Sequence, residues 1–294
     1  MPKYWLPSTG SAPISPSRHS SWDRSADQFG RNKAVTTKIN SSTANKGDTS
    51  TVSGIQATCA YQWVYGPLAA GTVSGTCGLG VRGDTLNYTN IYRAAAAAWI
   101  AKPDATLRGT LFSVDVDNVD MSTSAGTAYT WTATCSSVTV TAGDYLVLEL
   151  GWNDSTFTDP EQGRIEIGDG NSETYPYFDF SDTDLAFQPP SSLTYGSTTV
   201  RIKRGKTLST NSPSSSGGPI ASYAVQTGSL PAGVSLNSTT GDITGTPTAT
   251  GLYTFTIRGT NDGGTTDSGT ITYAVFSVNS LSLNEITKGS LSIG

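Results

Sequence analysis

The stretch from residue 228 to residue 260 reads Gly228-Ser-Leu-Pro-Ala-Gly233-Val-Ser-Leu-Asn-Ser-Thr-Thr-Gly241-Asp-Ile-Thr-Gly245-Thr-Pro-Thr-Ala-Thr-Gly251-Leu-Tyr-Thr-Phe-Thr-Ile-Arg-Gly259-Thr260. Val234 and Leu236 alternate about Ser235, and Tyr253, Phe255 and Ile257 alternate with threonines, the two-residue period of strands with one buried face. Glycine and proline fall between these runs, where tight turns need them. The pattern continues outward, with Tyr223 and Val225 before it and Ile271, Tyr273 and Val275 after it. About 80 residues carrying this many short strands predict an immunoglobulin-like β-sandwich.

The preceding part of the chain has the same grammar. Phe112, Val114 and Val116 alternate with Ser113 and Asp115; Leu146, Leu148 and Leu150 alternate with Val147 and Glu149; Ile165 and Ile167 flank Glu166. Turn signals stand at Pro103-Asp104, Ala142-Gly143-Asp144 and Gly168-Asp169-Gly170-Asn171. Antiparallel strands at this spacing predict a sandwich of the jelly-roll kind. The run Ala94–Ala98 has helical propensity, but its neighbours read as strands on both sides, so it is expected to be a strand.

The expected fold is thus all-β: a jelly-roll-like β-sandwich over 47–200, a linker at 201–219, the core of an Ig-like sandwich over 220–278 and a polar tail at 279–294, all preceded by an extended N-terminal arm, 1–46. Within the linker, Arg201, Lys203, Arg204 and Lys206 form a basic cluster. Of 294 residues, Ser and Thr supply 82 and Gly 32, with only 14% charged and a net charge of −5. The arm departs from this balance. It carries seven basic groups, Lys3, Arg18, Arg24, Arg31, Lys33, Lys38 and Lys46, against Asp23 and Asp27. Such an arm needs a surface, either the acidic body of its own chain or a neighbouring subunit. Tyr4, Trp5, Arg18, Trp22, Arg24, Arg31 and Lys33 are its candidate anchoring residues.

Few enzyme classes fit. The single histidine, His19, lies in the Pro/Ser-rich arm, which disfavours His-dependent triads and multi-histidine metal sites. No G-x-S-x-G elbow, phosphate-binding G-x-x-x-x-G-K-[ST] or dinucleotide-binding glycine motif occurs. No catalytic residue, metal or cofactor is expected. Asp115, Asp117 and Asp120, and Asp169, Asn171 and Glu173, have oxygen ligands suited to calcium, but neither set completes an EF-hand. They read as solvated carboxylates, as do Glu149, Glu161, Glu166 and Asp169 when weighed as a glycosidase pair. Cys59, Cys77 and Cys135 form no C-x-x-C pair; free buried thiols or a Cys59–Cys77 bridge both fit. The N-terminus has no apolar run of a secretory signal, so synthesis in the cytoplasm without general export is expected. No membrane insertion and no nucleic-acid partner are expected. Trp131, Trp152, Tyr175, Tyr177 and Phe178, near Asp179 and Asp182, are candidates for a glycan platform or for core and interface packing.

Residues 228–260 resemble the Ig-like repeat, related to cadherin-like domains, of bacterial surface proteins and phage virion proteins. The blocks G-S-L-P-x-G, T-G-x-I-x-G-T-P and G-x-Y-x-F-x-I stand in order. The resemblance covers roughly 206–277 and implies a spacer or adhesion module without catalytic activity. More loosely, Tyr4-Trp5-Leu6-Pro7-Ser8-Thr9-Gly10 with Trp22-Asp23, Lys102–Leu111 and Ala142–Gly151 are similar to stretches of phage structural proteins. That likeness implies a jelly-roll domain decorating a head, neck or tail. The expected setting is then a virion, with a major capsid or tail or neck protein as partner, a homo-oligomer such as a trimer, and contact with host surface polysaccharide.

Overall fold

Alternating strands with apolar residues on one face fold here into two separate sandwiches. In the computed structural model, residues 3–26, 29–34, 44–47, 56–85, 92–122, 124, 127–154, 163–167, 177–180 and 187–277 are described. The chain divides into Met1–Gln188 and Pro189–Gly294. This boundary lies N-terminal to the expected one at 200. The segment read as the end of the first domain and a linker supplies strands to the second.

The first unit contains β1 (Lys3–Trp5), β2 (Arg24–Ser25), β3 (Arg31–Lys33), β4 (Ala44–Gly47), β5 (Ala57–Tyr65), β6 (Gly71–Thr85), β7 (Tyr92–Ala101), β8 (Leu107–Asp120), β9 (Thr127–Val140), β10 (Tyr145–Asp154), β11 (Gly163–Ile167) and β12 (Tyr177–Phe180). One sheet runs β4-β11-β6-β9 and the other β5-β10-β7-β8, with every neighbouring pair antiparallel. Two four-stranded sheets in this order make a jelly roll. The core between them takes Trp63, Tyr65, Leu146, Leu148, Leu150 and Ile100 from one sheet and Leu79, Val81, Phe178 and Phe180 from the other.

Two strand positions are each built from two pieces. On β6, Glu166 of β11 stands opposite Arg82 and Tyr177 of β12 stands opposite Gly80, so β11 and β12 continue one line. On their far side β4 pairs with β11 and β1 pairs with β12. The first strand of the jelly roll therefore starts at Lys3 and resumes at Ala44. The segment read as an arm is an excursion within it, and its strands β2 and β3 pair in parallel with β5 at the edge of the opposite sheet. Pairing β2 and β3 with β5 covers one sheet edge with short strands, which blunts a template for edge-to-edge association.

The Ala94–Ala98 run is strand, and its two faces are both covered. Ala94, Ala96, Ala98 and Ile100 lie in the core between the sheets, while Ala95 and Ala97 pack with Trp22, and Trp99 and Ala101 with Val147 and Ile14. Helix propensity loses to burial on two sides.

The second unit contains β13 (Pro190–Tyr195), β14 (Thr199–Lys203), β15 (Pro213–Gly217), β16 (Ser222–Gly228), β17 (Val234–Leu236), β18 (Ile243–Gly245), β19 (Gly251–Asn261), β20 (Gly264–Asp267) and β21 (Ile271–Phe276). A sheet ordered β14-β21-β19-β16, with β20 also on β19, accompanies the pairs β13-β15 and β17-β18. Leu193, Tyr195, Ile202, Ile243, Phe255, Ile257, Ile271 and Tyr273 fill its core. The expected tail at 279–294 lies outside the described residues.

Candidate functional site

The arm lies across the outer face of the β5-β10-β7-β8 sheet. That face is apolar, with Ala57, Cys59, Ala95 and Ala97 under the Trp22 ring. Small side chains leave room for an indole to pack against the strands. Asp23 fixes the entry to β5: its N–H donates to the Ala57 carbonyl at 2.9 Å and its carboxylate accepts from the Ala57 N–H at 2.7 Å. Further along, the Asn32 amide and the Trp63 indole both donate to the Pro7 carbonyl at 2.9 Å.

At the middle of the covered face sits Glu149, fully buried. Its carboxylate accepts from the Gln62 amide at 2.7 Å, the Trp22 indole at 2.8 Å and the His19 backbone N–H at 3.0 Å. Gln62 in turn accepts from the Arg31 guanidinium at 2.5 Å. Three points of the arm thus converge on one cross-strand pair. Burial raises the Glu149 carboxyl above its ordinary range, and these hydrogen bonds oppose the rise.

His19 extends the network to β8. The Val114 N–H donates to the Ser21 hydroxyl at 3.0 Å, Ser21 Oγ lies 2.7 Å from His19 Nδ1, and His19 Nε2 lies 2.8 Å from Thr110 Oγ1. A neutral imidazole protonated at Nε2 satisfies this chain, with Ser21 donating to Nδ1. Burial lowers the His19 pKa, which agrees with the neutral form.

Of the two surfaces expected for the arm, the body of its own chain takes these residues, because the sheet face beneath them is apolar. Tyr4 is buried edge-on to Tyr65 at 4.9 Å and Phe180 at 5.8 Å. Arg18 donates to the backbone carbonyls of Trp22 and Asp23. Arg24 is half-buried in β2. Arg31 stands over the Phe29 ring, and the Lys33 ammonium lies 5.8 Å from the Phe187 ring. Trp5, half-buried, meets Tyr177 edge-on at 6.1 Å, and Lys3 lies over the Tyr177 ring at 4.2 Å.

The aromatic candidates do not form one platform. Trp152 and Phe178 are buried in the jelly-roll core and cannot stack on a sugar. Trp131 is partly buried against that core and donates its indole N–H to Asp115 at 3.0 Å. Tyr177 belongs to the Trp5 and Lys3 cluster, and Tyr175 lies outside the described residues, as do Asp182, Glu161, Asp169, Asn171 and Glu173. Three of the carboxylates read as solvated are not: Glu149, buried under the arm, and Asp115 and Asp117. Asp115 is half-buried and Asp117 is buried, because they turn away from the face on which Val114 and Val116 meet Trp22 and Phe29. Burial raises the pKa of both. Asp120 pairs with Arg93 at 2.8 Å. Cys59, Cys77 and Cys135 are free and buried, so no Cys59–Cys77 bridge forms.

In the second unit the signature residues sit where the turns demand them. Gly228 has φ +71°, and a Cβ there would fall 1.9 Å from the Thr254 carbonyl oxygen. The Thr246 N–H, in the T-G-x-I-x-G-T-P block, donates to the Gly233 carbonyl at 2.9 Å and closes that block onto G-S-L-P-x-G. Residues 186–276 match the family model described as "Putative Ig domain". They form an Ig-like domain. No curated protein matches the chain. Within the Ig-like domain, Tyr195 donates its hydroxyl to the Gly241 carbonyl at 2.8 Å, and Asn211 ties the Ser197 turn to the Tyr273 hydroxyl.

The Glu149 network escaped sequence reading because its partners are distant in the chain. One signal was present: Val147, Tyr145 and the alanines of β7 make the supposed outer face apolar, which marks a sheet covered on both sides.

Proposed function

We propose that this chain is a non-enzymatic structural component of a bacteriophage particle, made in the host cytoplasm, with head decoration favoured over a tail or neck appendage. The observation that carries this reading is the use made of buried polar chemistry. In the first unit the Glu149 carboxylate accepts from the His19 backbone N–H and the Trp22 indole, and the His19 imidazole is held between the Ser21 and Thr110 hydroxyls, so that these bonds tie the arm to the sheet. Buried polar groups whose hydrogen bonds are met in this way hold a fold together. The jelly roll is an architecture of capsid and lectin domains, and fold alone does not assign a task. The likeness of the 4–10, 102–111 and 142–151 segments to phage structural proteins points to the particle.

On this reading the jelly roll docks on a major capsid, tail or neck protein, as a homo-oligomer such as a trimer, and the Ig-like domain is a spacer or adhesin. Purified particles banded in a density gradient test it. The chain is expected in the particle band at a fixed ratio to the major capsid protein. Recovery only in the soluble fraction of the lysate would overturn the reading.

A further inference from the structure

The Ig-like domain carries a groove that the structural role leaves unused. β14 is the outermost strand of its sheet, and after the turn at 203–206 the chain returns to the β17-β18 pair, where the Leu208 N–H donates to the Gly245 carbonyl and the Asn211 N–H to the Ile243 carbonyl. A cavity of about 390 Å³ opens along this return, between Ser197 and Asn211. Its apolar lining is Val200, Ile202 and Leu208; Arg201, Lys203 and Lys206 stand exposed around it with hydroxyls such as Thr207 and Ser209.

Charge sets this groove apart. From Leu185 to Gly241 the sequence has no carboxylate, and its charged residues are Arg201, Lys203, Arg204 and Lys206. Elsewhere in the Ig-like domain Arg258 is paired with Asp267 at 2.7 Å. Among the described residues no ion pair engages Arg201, Lys203 or Lys206 at the groove, or Arg204 beside it. They are an uncompensated positive strip on a chain whose net charge is −5. Arg201 and Lys203 alternate with buried Ile202, so both project from the same side of β14, about 6.7 Å apart along the strand.

We infer that this groove binds an acidic polysaccharide, with Arg201, Lys203 and Lys206 meeting its carboxylate or sulfate groups and the rim hydroxyls meeting sugar hydroxyls. Charge-assisted hydrogen bonds to fixed cations supply the attraction, and neutral donors and acceptors read the sugar. A single-stranded nucleic acid fits less well, since no aromatic ring lines the groove to stack a base. The inference goes beyond particle membership and stands or falls separately from it, because the test needs only the purified chain.

The full-length protein is titrated with fluorescein-labelled polyglucuronate and dextran sulfate, with neutral dextran and a labelled oligothymidylate as comparisons. Both polyanionic sugars are expected to bind, more weakly as salt rises, and neutral dextran not to bind. The Arg201→Gln/Lys203→Gln/Lys206→Gln variant is expected to lose at least about tenfold in affinity, with an unchanged unfolding midpoint. Lys206→Glu alone, in the turn outside the strand, should weaken binding in the same direction, while Arg258→Gln leaves it unchanged. Absent binding, affinity unchanged from the native chain in both the triple variant and Lys206→Glu, or oligothymidylate bound as tightly as polyglucuronate would each overturn the inference.

Discussion

Gln62 and Glu149 stand directly opposite each other on β5 and β10, and the Gln62 amide donates to the buried Glu149 carboxylate at 2.7 Å. This pair joins the two central elements of the first unit, the sheet and the segment that crosses it. Trp22 and His19 bind the carboxylate, and Arg31 binds the amide. The arm's adhesion is therefore specified by polar contacts at one point and by apolar packing around it.

Glu149→Ala leaves three buried donors without an acceptor. Each such loss costs about 1–3 kcal/mol, so the first unit should lose about 3 kcal/mol or more. Glu149→Gln keeps one oxygen acceptor and should lose about 1–2 kcal/mol. Urea unfolding measures both, and limited trypsin digestion at Arg18 and Arg24 should quicken in the alanine variant. An unchanged midpoint with an unchanged digestion pattern would show that the network does not hold the arm.

Trp22→Ala removes the indole that covers Ala57, Cys59, Ala95 and Ala97. Truncating a buried aromatic ring costs about 3–5 kcal/mol. The newly opened Cys59 should then react with a thiol reagent that does not touch the native chain. Continued protection of Cys59 in the folded variant would mean that the arm's remaining contacts suffice to cover the sheet.

The pH dependence carries a definite sign. Burial raises the Glu149 carboxyl above its ordinary 4.5, so the native chain keeps a proton that the unfolded chain releases as pH rises past that value. This contribution to stability is full below about pH 4.5 and is lost as pH rises through the raised pKa. Glutamine at 149 does not titrate. The stability advantage of the native chain over Glu149→Gln should be largest near about pH 4 and should narrow towards about pH 7. Urea midpoints of the two proteins across this range decide it, and an advantage that widens with pH contradicts the account.

Two glycines report on the two units separately. A Cβ at Gly151, at the register shift between Leu150 and Gly151, would fall 1.9 Å from the Thr58 carbonyl oxygen, and Gly228 meets Thr254 in the same way. Each alanine substitution should cost its own unit about 3 kcal/mol. Gly151→Ala is expected to lower the unfolding transition of the first unit, and Gly228→Ala that of the Ig-like domain, as read by hydrogen exchange resolved along the chain. Equal loss of protection in both units from either substitution would show that they unfold together.

Much of this architecture was legible in the sequence. Leu146, Leu148 and Leu150 do face the core, Tyr253, Phe255 and Ile257 do face inward, and the Ig-like domain follows from the glycine and proline blocks that shape its turns. The strand at Ala94–Ala98 was readable only from its neighbours. What sequence reading placed in solvent, Glu149 and Asp117, is buried, because a period of two tells which residues share a face but not what covers that face. The arm's composition, basic and rich in Ser and Pro, resembles that of a free segment. Its few large residues, Tyr4 and Trp22, decide otherwise, and their pockets are made by strands far along the chain. Of the two uses the sequence leaves open for its aromatic residues, core packing takes Trp152 and Phe178: along 177–180 the rings alternate in space, so Phe178 and Phe180 enter the core while Tyr177 faces away from it.

The most direct test of the proposed role is immunogold labelling of intact particles with antibody raised against residues 206–277. The account predicts label distributed over particle heads, with the Ig-like domain accessible. Particles that carry no label, while the same antibody detects the chain elsewhere in the lysate, would contradict it.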